Sequence, residues 1–193
     1  MNILLVHGFG NTGRVFRRLE NRLAEAGHKC FSPTLAPRDG RLGLADLARK
    51  LAAYVDDQMA GAGPFVIVGF SMGCLVARYY LQQLHGVRRV RAFFAISGPM
   101  RGTATAFLYP GRGARDMRYG SRFLRELDAT AETLKGLPTH IYYTPFDLMI
   151  IPATSSRMNG AREKLVRSPL HRWMLTDPDL TDDLLQKLRQ LES

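Results

Sequence analysis

The chain has 193 residues, 46% of them hydrophobic and 23% charged, a composition that fits one globular domain and excludes a disordered, collagen-like or low-complexity protein. Two cysteines, Cys30 and Cys74, are too few for a disulfide framework, and no CxxC or Cys/His cluster points to structural zinc. The formal net charge is +10 and Arg supplies 22 of the 27 basic residues, yet no zinc finger, RNA-binding signature or long basic tail accompanies them.

The first predicted element is a strand over Asn2 to Val6. No basic residue precedes this apolar run, so it reads as part of the fold and not as a leader. A cytoplasmic protein is the expectation; a secreted or periplasmic mature form with its leader removed is the alternative. Apolar runs stay far below the 18 residues of a spanning helix. Val15, Leu19, Leu23 and Ala26 then repeat at helical spacing, and Gly27 ends the helix. His28 to Pro33 reads as a second strand, and Leu44, Leu47, Leu51, Val55 and Met59 as a second helical stripe. The continuous apolar run Phe65 to Val68 predicts a strand buried on both faces. A helix follows from near Met72 to Gly86, then a strand from Arg89 to Ile96.

Residues 99–120 carry six Gly or Pro residues and no sustained periodicity, which suggests a lid-like excursion over one end of the sheet. A helix near Arg122 to Leu134, a strand over Thr139 to Tyr143, a short helix, a strand near Lys164 to Arg167 and a final helix with Leu184, Leu188 and Leu191 on one face complete the chain. Alternating strands and helices predict a parallel α/β sheet in a single domain spanning residues 1–193.

The strongest local signal is Gly69-Phe70-Ser71-Met72-Gly73, a G-x-S-x-G turn between an apolar strand and a helix. A serine on so tight a turn has strained backbone angles, and neighbours without Cβ let strand and helix close around it. Ser71 is therefore the candidate nucleophile. Its base should follow in the chain. Of the five histidines, His140 lies inside a strand and His171 lies in the loop before the last helix, so His171 is the candidate base. Asp147, just past the fifth strand, is the candidate acid that would fix the His171 tautomer; Glu163 is second choice, and Asp116 and Asp128 fall too early. The oxyanion would need two donors: the N–H of Met72, after the serine, and that of Phe9 in the loop His7-Gly8-Phe9-Gly10. His7 itself reads as a buried structural residue, and Cys74 as a small hydrophobe packed beneath the turn.

These motifs occur in the order of the α/β-hydrolases, and the chain resembles the small bacterial triacylglycerol lipases and esterases from Ile3 to about Leu191. Ser97-Gly98-Pro99-Met100-Arg101-Gly102-Thr103 is similar to a family segment after the fourth strand, with Met100 replacing the usual histidine. Gly120-Ser121-Arg122-Phe123-Leu124 resembles a Gly-Ser-x-Phe-Leu element, and Ile151-Pro152 with Ser155-Ser156 resembles the stretch following the acid. The resemblance implies a minimal α/β-hydrolase fold, about six strands in the order 2-1-3-4-5-6, mostly parallel, with helices on both faces. It also implies an oxyanion loop of the single-glycine type, with Phe9 donating. The loop from Arg101 to Tyr119 is longer and more basic than in lidless relatives, which leaves substrate preference open.

Arg112, Arg115, Arg118, Arg122 and Arg125 recur every three or four residues, so one continuous helix would gather them on one face. With Phe107, Leu108, Tyr109 and Met117 supplying an apolar side, such a face could be a lid or rim that meets an anionic membrane surface or an acyl substrate; a solvated helix face is the plainer reading. The sequence as a whole predicts a serine carboxylester hydrolase with a Ser71–His171–Asp147 triad, Phe9 and Met72 as oxyanion donors, and no metal or organic cofactor. Its expected partner is a small-molecule or lipid ester; nucleic acid is a weaker reading, and no obligate protein partner is implied. A thioesterase or lipid deacylase with the same triad and a non-catalytic hydrolase-like binding module are the alternatives.

Overall fold

The computed structural model describes residues 1–192. Six strands, β1 (Asn2–Val6), β2 (Lys29–Phe31), β3 (Phe65–Phe70), β4 (Val90–Ile96), β5 (Thr139–Tyr143) and β6 (Arg162–Leu165), form one sheet in the order β2-β1-β3-β4-β5-β6. Every neighbouring pair is parallel. The strand order expected from sequence is therefore the observed one, and the sheet is parallel throughout.

Side-chain alternation splits the core between the two faces. Leu4, Val6 and Ile67 face a layer built by α2 (Leu44–Gln58), α3 (Met72–Gln83) and α5 (Arg122–Ala129). Ile3, Leu5, Val66 and Val68 face α1 (Arg17–Glu25) and α6 (Pro178–Glu192). Central β3 is buried at every residue, as a strand covered on both sides must be.

Three expectations need adjustment. β2 is shorter than its apolar span, because it pairs only with β1 at the sheet edge. β6 lies two residues earlier, at Arg162–Leu165, because its pairing with β5 sets the register and its own side chains are mostly exposed. The arginine stripe does not form one helix. α4 (Arg112–Asp116) ends within the stripe, and Gly120 turns the chain at φ +62° before α5 begins, a conformation that glycine adopts without strain. Arg118 instead stacks on Phe107, 4.8 Å from the ring centroid, while Arg122 pairs with Glu126.

Residues 101–120 are tied down on several sides. Thr103 N–H donates to Met117 O, Gly113 N–H to Gly40 O, and Ala104 N–H to Ile151 O. From α4, the Asp116 carboxylate accepts the Leu44 N–H at the start of α2 at 2.8 Å.

Candidate active site

Strand order reverses between β1 and β3, whose carboxyl ends are neighbours in the sheet. Such a switch point opens a crevice beyond the strand ends. The loop after β1 and the turn after β3 therefore meet there.

Ser71 occupies the turn between β3 and α3 at φ 54°, ψ −127°. A positive φ at a non-glycine residue is strained, by about 1–3 kcal/mol, and persists only where the surroundings enforce it. Here they do. A Cβ on Gly69 would lie 2.7 Å from Cys74 Cα, and one on Gly73 would collide with the carbonyls of Val6 and His7. Both glycines of the motif are thus required by close backbone approach. Cys74 is buried beneath, its thiol donating to Ile96 O at 3.5 Å, and burial pushes that thiol's pKa up, so it is an inert packing group.

Gly8 brings the β1 loop against the serine. A Cβ there would stand 2.8 Å from Ser71 Cβ and 3.3 Å from Ser71 Oγ. The loop is braced by His7, which is 1% exposed. Leu35 N–H donates to His7 Nε2 at 2.9 Å, so Nδ1 carries the ring proton and donates to Gly8 O at 2.9 Å. Burial holds the His7 pKa below its ordinary value, consistent with a neutral ring in a structural role. Among the described residues, neither the Phe9 N–H nor the Met72 N–H has an acceptor. The Met72 amide opens α3, where helix geometry leaves it unpaired and the dipole favours negative charge.

Asp147 follows β5 and is 5% exposed. Its Oδ1 accepts the N–H groups of Met149 and Ile150, both at 2.9 Å. Its Oδ2 accepts from His171 Nδ1 at 2.8 Å. One carboxylate oxygen thus caps its own turn while the other holds the histidine. The His171 loop is tied to the same strand: Val166 N–H donates to Tyr143 O, and Thr144 Oγ1 donates to Ser168 O at 2.6 Å. The His171 ring lies against Phe70, the residue before the serine, with centroids 4.9 Å apart. Among the described residues no hydrogen bond joins His171 to Ser71 Oγ; such bonds are often long without substrate and tighten in the reacting complex.

The other acids are engaged elsewhere. Glu163 pairs with Arg157 at 2.6 Å and Asp128 with Arg78 at 2.8 Å. His140 is buried within β5, stacked on Phe94.

A small cleft opens over Ser71, lined also by Phe9, Ala106, Tyr109, Met117, Met149 and Ile150. Thr103 and Thr105 line it as well, but both hydroxyls bond to Met149 O, leaving the walls apolar. Phe9, Tyr109 and Met117 stand out in the sequence; Ala106, Met149 and Ile150 carry no local signal, because the cleft arises only where the loops after β1, β4 and β5 meet.

Residues 3–191 match the family model described as the alpha/beta hydrolase family. No curated protein matches the chain in sequence. Solved structures do match in fold. Aspergillus fumigatus lipase B superposes with a TM-score of 0.82 at 17% identity over 97% of the chain, which spans 52% of that lipase. Bacillus licheniformis lipase BlEst2 gives 0.76 at 14% identity, covering 97% of the chain and 91% of the lipase. A thermophilic esterase from Thermogutta terrifontis gives 0.70 at 16% identity, covering 100% and 91%. At these identities the likeness is one of fold.

Proposed function

The chain belongs to the alpha/beta hydrolase family, and on that premise we propose that it is a serine carboxylester hydrolase whose nucleophile is Ser71. The observation that carries this reading is the convergence of three loops. A serine held at φ 54° touches the Gly8–Phe9 loop, and a histidine packed on the neighbouring Phe70 ring has its Nδ1 held by a buried carboxylate.

In the proposed reaction Ser71 Oγ attacks the ester carbonyl carbon as His171 Nε2 takes the hydroxyl proton. Asp147 Oδ2 accepts the Nδ1–H, fixes that tautomer and stabilises the imidazolium that forms. The tetrahedral oxyanion accepts from the Phe9 and Met72 N–H groups, donors with no protein acceptor to lose. The intermediate collapses, His171 returns its proton to the departing alcohol oxygen, and Ser71 keeps the acyl group. Water then attacks the acyl-enzyme by the same route in reverse, releasing the acid and restoring the serine. The apolar cleft walls suit the acyl chain.

Incubation with a fluorophosphonate followed by peptide mass spectrometry tests the assignment of the nucleophile. The expected result is one adduct, on Ser71. An adduct on another serine, or none, would overturn it.

A further inference from the structure

Among the described residues, twelve large apolar side chains are exposed, and eleven of them lie in connections that leave the carboxyl ends of strands. The twelfth, Leu165, is the last residue of β6. The connections that enter the amino ends contribute none. In an all-parallel sheet the carboxyl ends share one edge, so this surface is one-sided. Scattered exposed apolar residues are ordinary, whereas a concentration at one end marks an interaction surface.

Three loops carry its most exposed members. Phe107 and Leu108, 57% and 80% exposed, follow β4; Phe146 and Leu148, 55% and 70%, flank Asp147; Leu170 and Trp173 flank His171. The loops are continuous with one another. Thr105 Oγ1 donates to Met149 O at 2.6 Å, Tyr119 Oη donates to Ile151 O, and His171 bonds to Asp147. Two members of this surface, Tyr109 and Met149, also line the Ser71 cleft, so the two are contiguous.

Charge borders it with one predominant sign. Arg38, Arg41, Arg112, Arg115 and Arg172 are exposed on these same connections. The acids on these connections, Asp39, Asp116, Asp147 and Asp177, are fewer than these arginines, and Asp147 is turned inward onto His171. A second copy of the chain would bring two faces of the same predominant sign together across a two-fold interface. An acidic sheet of headgroups over an apolar interior complements both features at once.

We propose that this end of the molecule docks on the surface of an anionic phospholipid bilayer, inserting the exposed side chains of Leu108, Leu148 and Trp173. The inference rests on the hydrolase reading only for what the docked protein would do there. Docking brings the cleft mouth to the interface, so the acyl chain of a membrane ester could enter without crossing water.

Trp173 is the chain's single tryptophan and is 54% exposed, so its fluorescence reports this face directly. The full chain carrying Ser71→Ala, which cannot consume lipid through that serine, is mixed with phosphatidylcholine vesicles with or without phosphatidylglycerol. Expected on the anionic vesicles are co-sedimentation, a blue shift of Trp173 emission and shielding from iodide, all reversed by high salt. Leu108→Ser with Leu148→Ser should weaken partition by about tenfold or more. Arg112→Gln with Arg115→Gln should weaken binding to anionic vesicles by roughly ten- to thirtyfold. Both pairs should leave hydrolysis of a water-soluble ester by the otherwise wild-type chain unchanged.

No sedimentation, equal binding to both vesicle types, or binding with unchanged Trp173 emission would overturn the proposal. So would a dimer in solution that shields Trp173. Soluble-ester hydrolysis without vesicle binding would refute docking alone; vesicle binding without any hydrolysis would refute the hydrolase reading alone.

Discussion

Asp147 combines two tasks in one carboxylate, and the division between its oxygens makes a sharp forecast. An asparagine can keep Oδ1 on the Met149 and Ile150 amides, so the turn survives. Its NH2 then faces His171 Nδ1, where the native oxygen accepts. The ring must take the other tautomer, with its proton on Nε2, and cannot accept from Ser71. Asp147→Asn should therefore lower kcat by on the order of 10³–10⁴ with little change in melting temperature, as steady-state kinetics and a thermal melt on one sample would check. His140 offers a forecast independent of function. Its pKa is pushed down to about 4, first by burial and then by Lys187 and Arg162, with Asp183 opposing. Between pH 6.5 and about 4 the unfolded chain binds a proton here that the folded chain does not. The stability present above that window is lost as pH falls through it. In melts across this range, His140→Leu should lose less stability than wild type.

Packing between elements explains what supports the site from a distance. Arg78 of α3 has a side chain only 2% exposed, held by Asp128 at 2.8 Å and by Gln82 at 2.8 Å. It clamps α3, whose N-terminus carries Ser71, to α5. Removing one partner of a buried charge leaves the other unsatisfied. Because Asp128 is itself 67% exposed, water compensates in part, and Asp128→Ala should cost about 1–2 kcal/mol. That corresponds to a melting point lower by roughly 2–8 °C. The segment 101–120 is another such element. Its ties to Gly40, Leu44 and Ile151 set Ala106 into the cleft wall. Ala106→Leu would fill space there, and kcat/KM for long-chain esters should fall by about tenfold or more while acetate esters are spared. A uniform loss across all chain lengths would mean the acyl group lies elsewhere.

The molecule as a whole shows which properties were legible in advance. The alternation of strands and helices and the meeting of the Gly8 and Ser71 turns followed from apolar runs, glycines and motif order, because close backbone approach leaves a residue-type signature; strand order followed only from the resemblance to the α/β-hydrolases. β6 was misplaced because a strand exposed on most residues has no apolar run to mark it. The arginine stripe was misread because spacing alone does not register the break at Gly120. The cleft wall was legible only in part: Phe9, Tyr109 and Met117 stood out, whereas Met149 and Ala106 are ordinary residues until distant loops meet. The central claim, that this scaffold makes Ser71 an ester-cleaving nucleophile, is tested most directly by hydrolysis of p-nitrophenyl esters from acetate to palmitate with wild type and Ser71→Ala in parallel. The account predicts turnover by wild type that the variant loses. Equal turnover by the two proteins, or none by wild type on any ester, would contradict it.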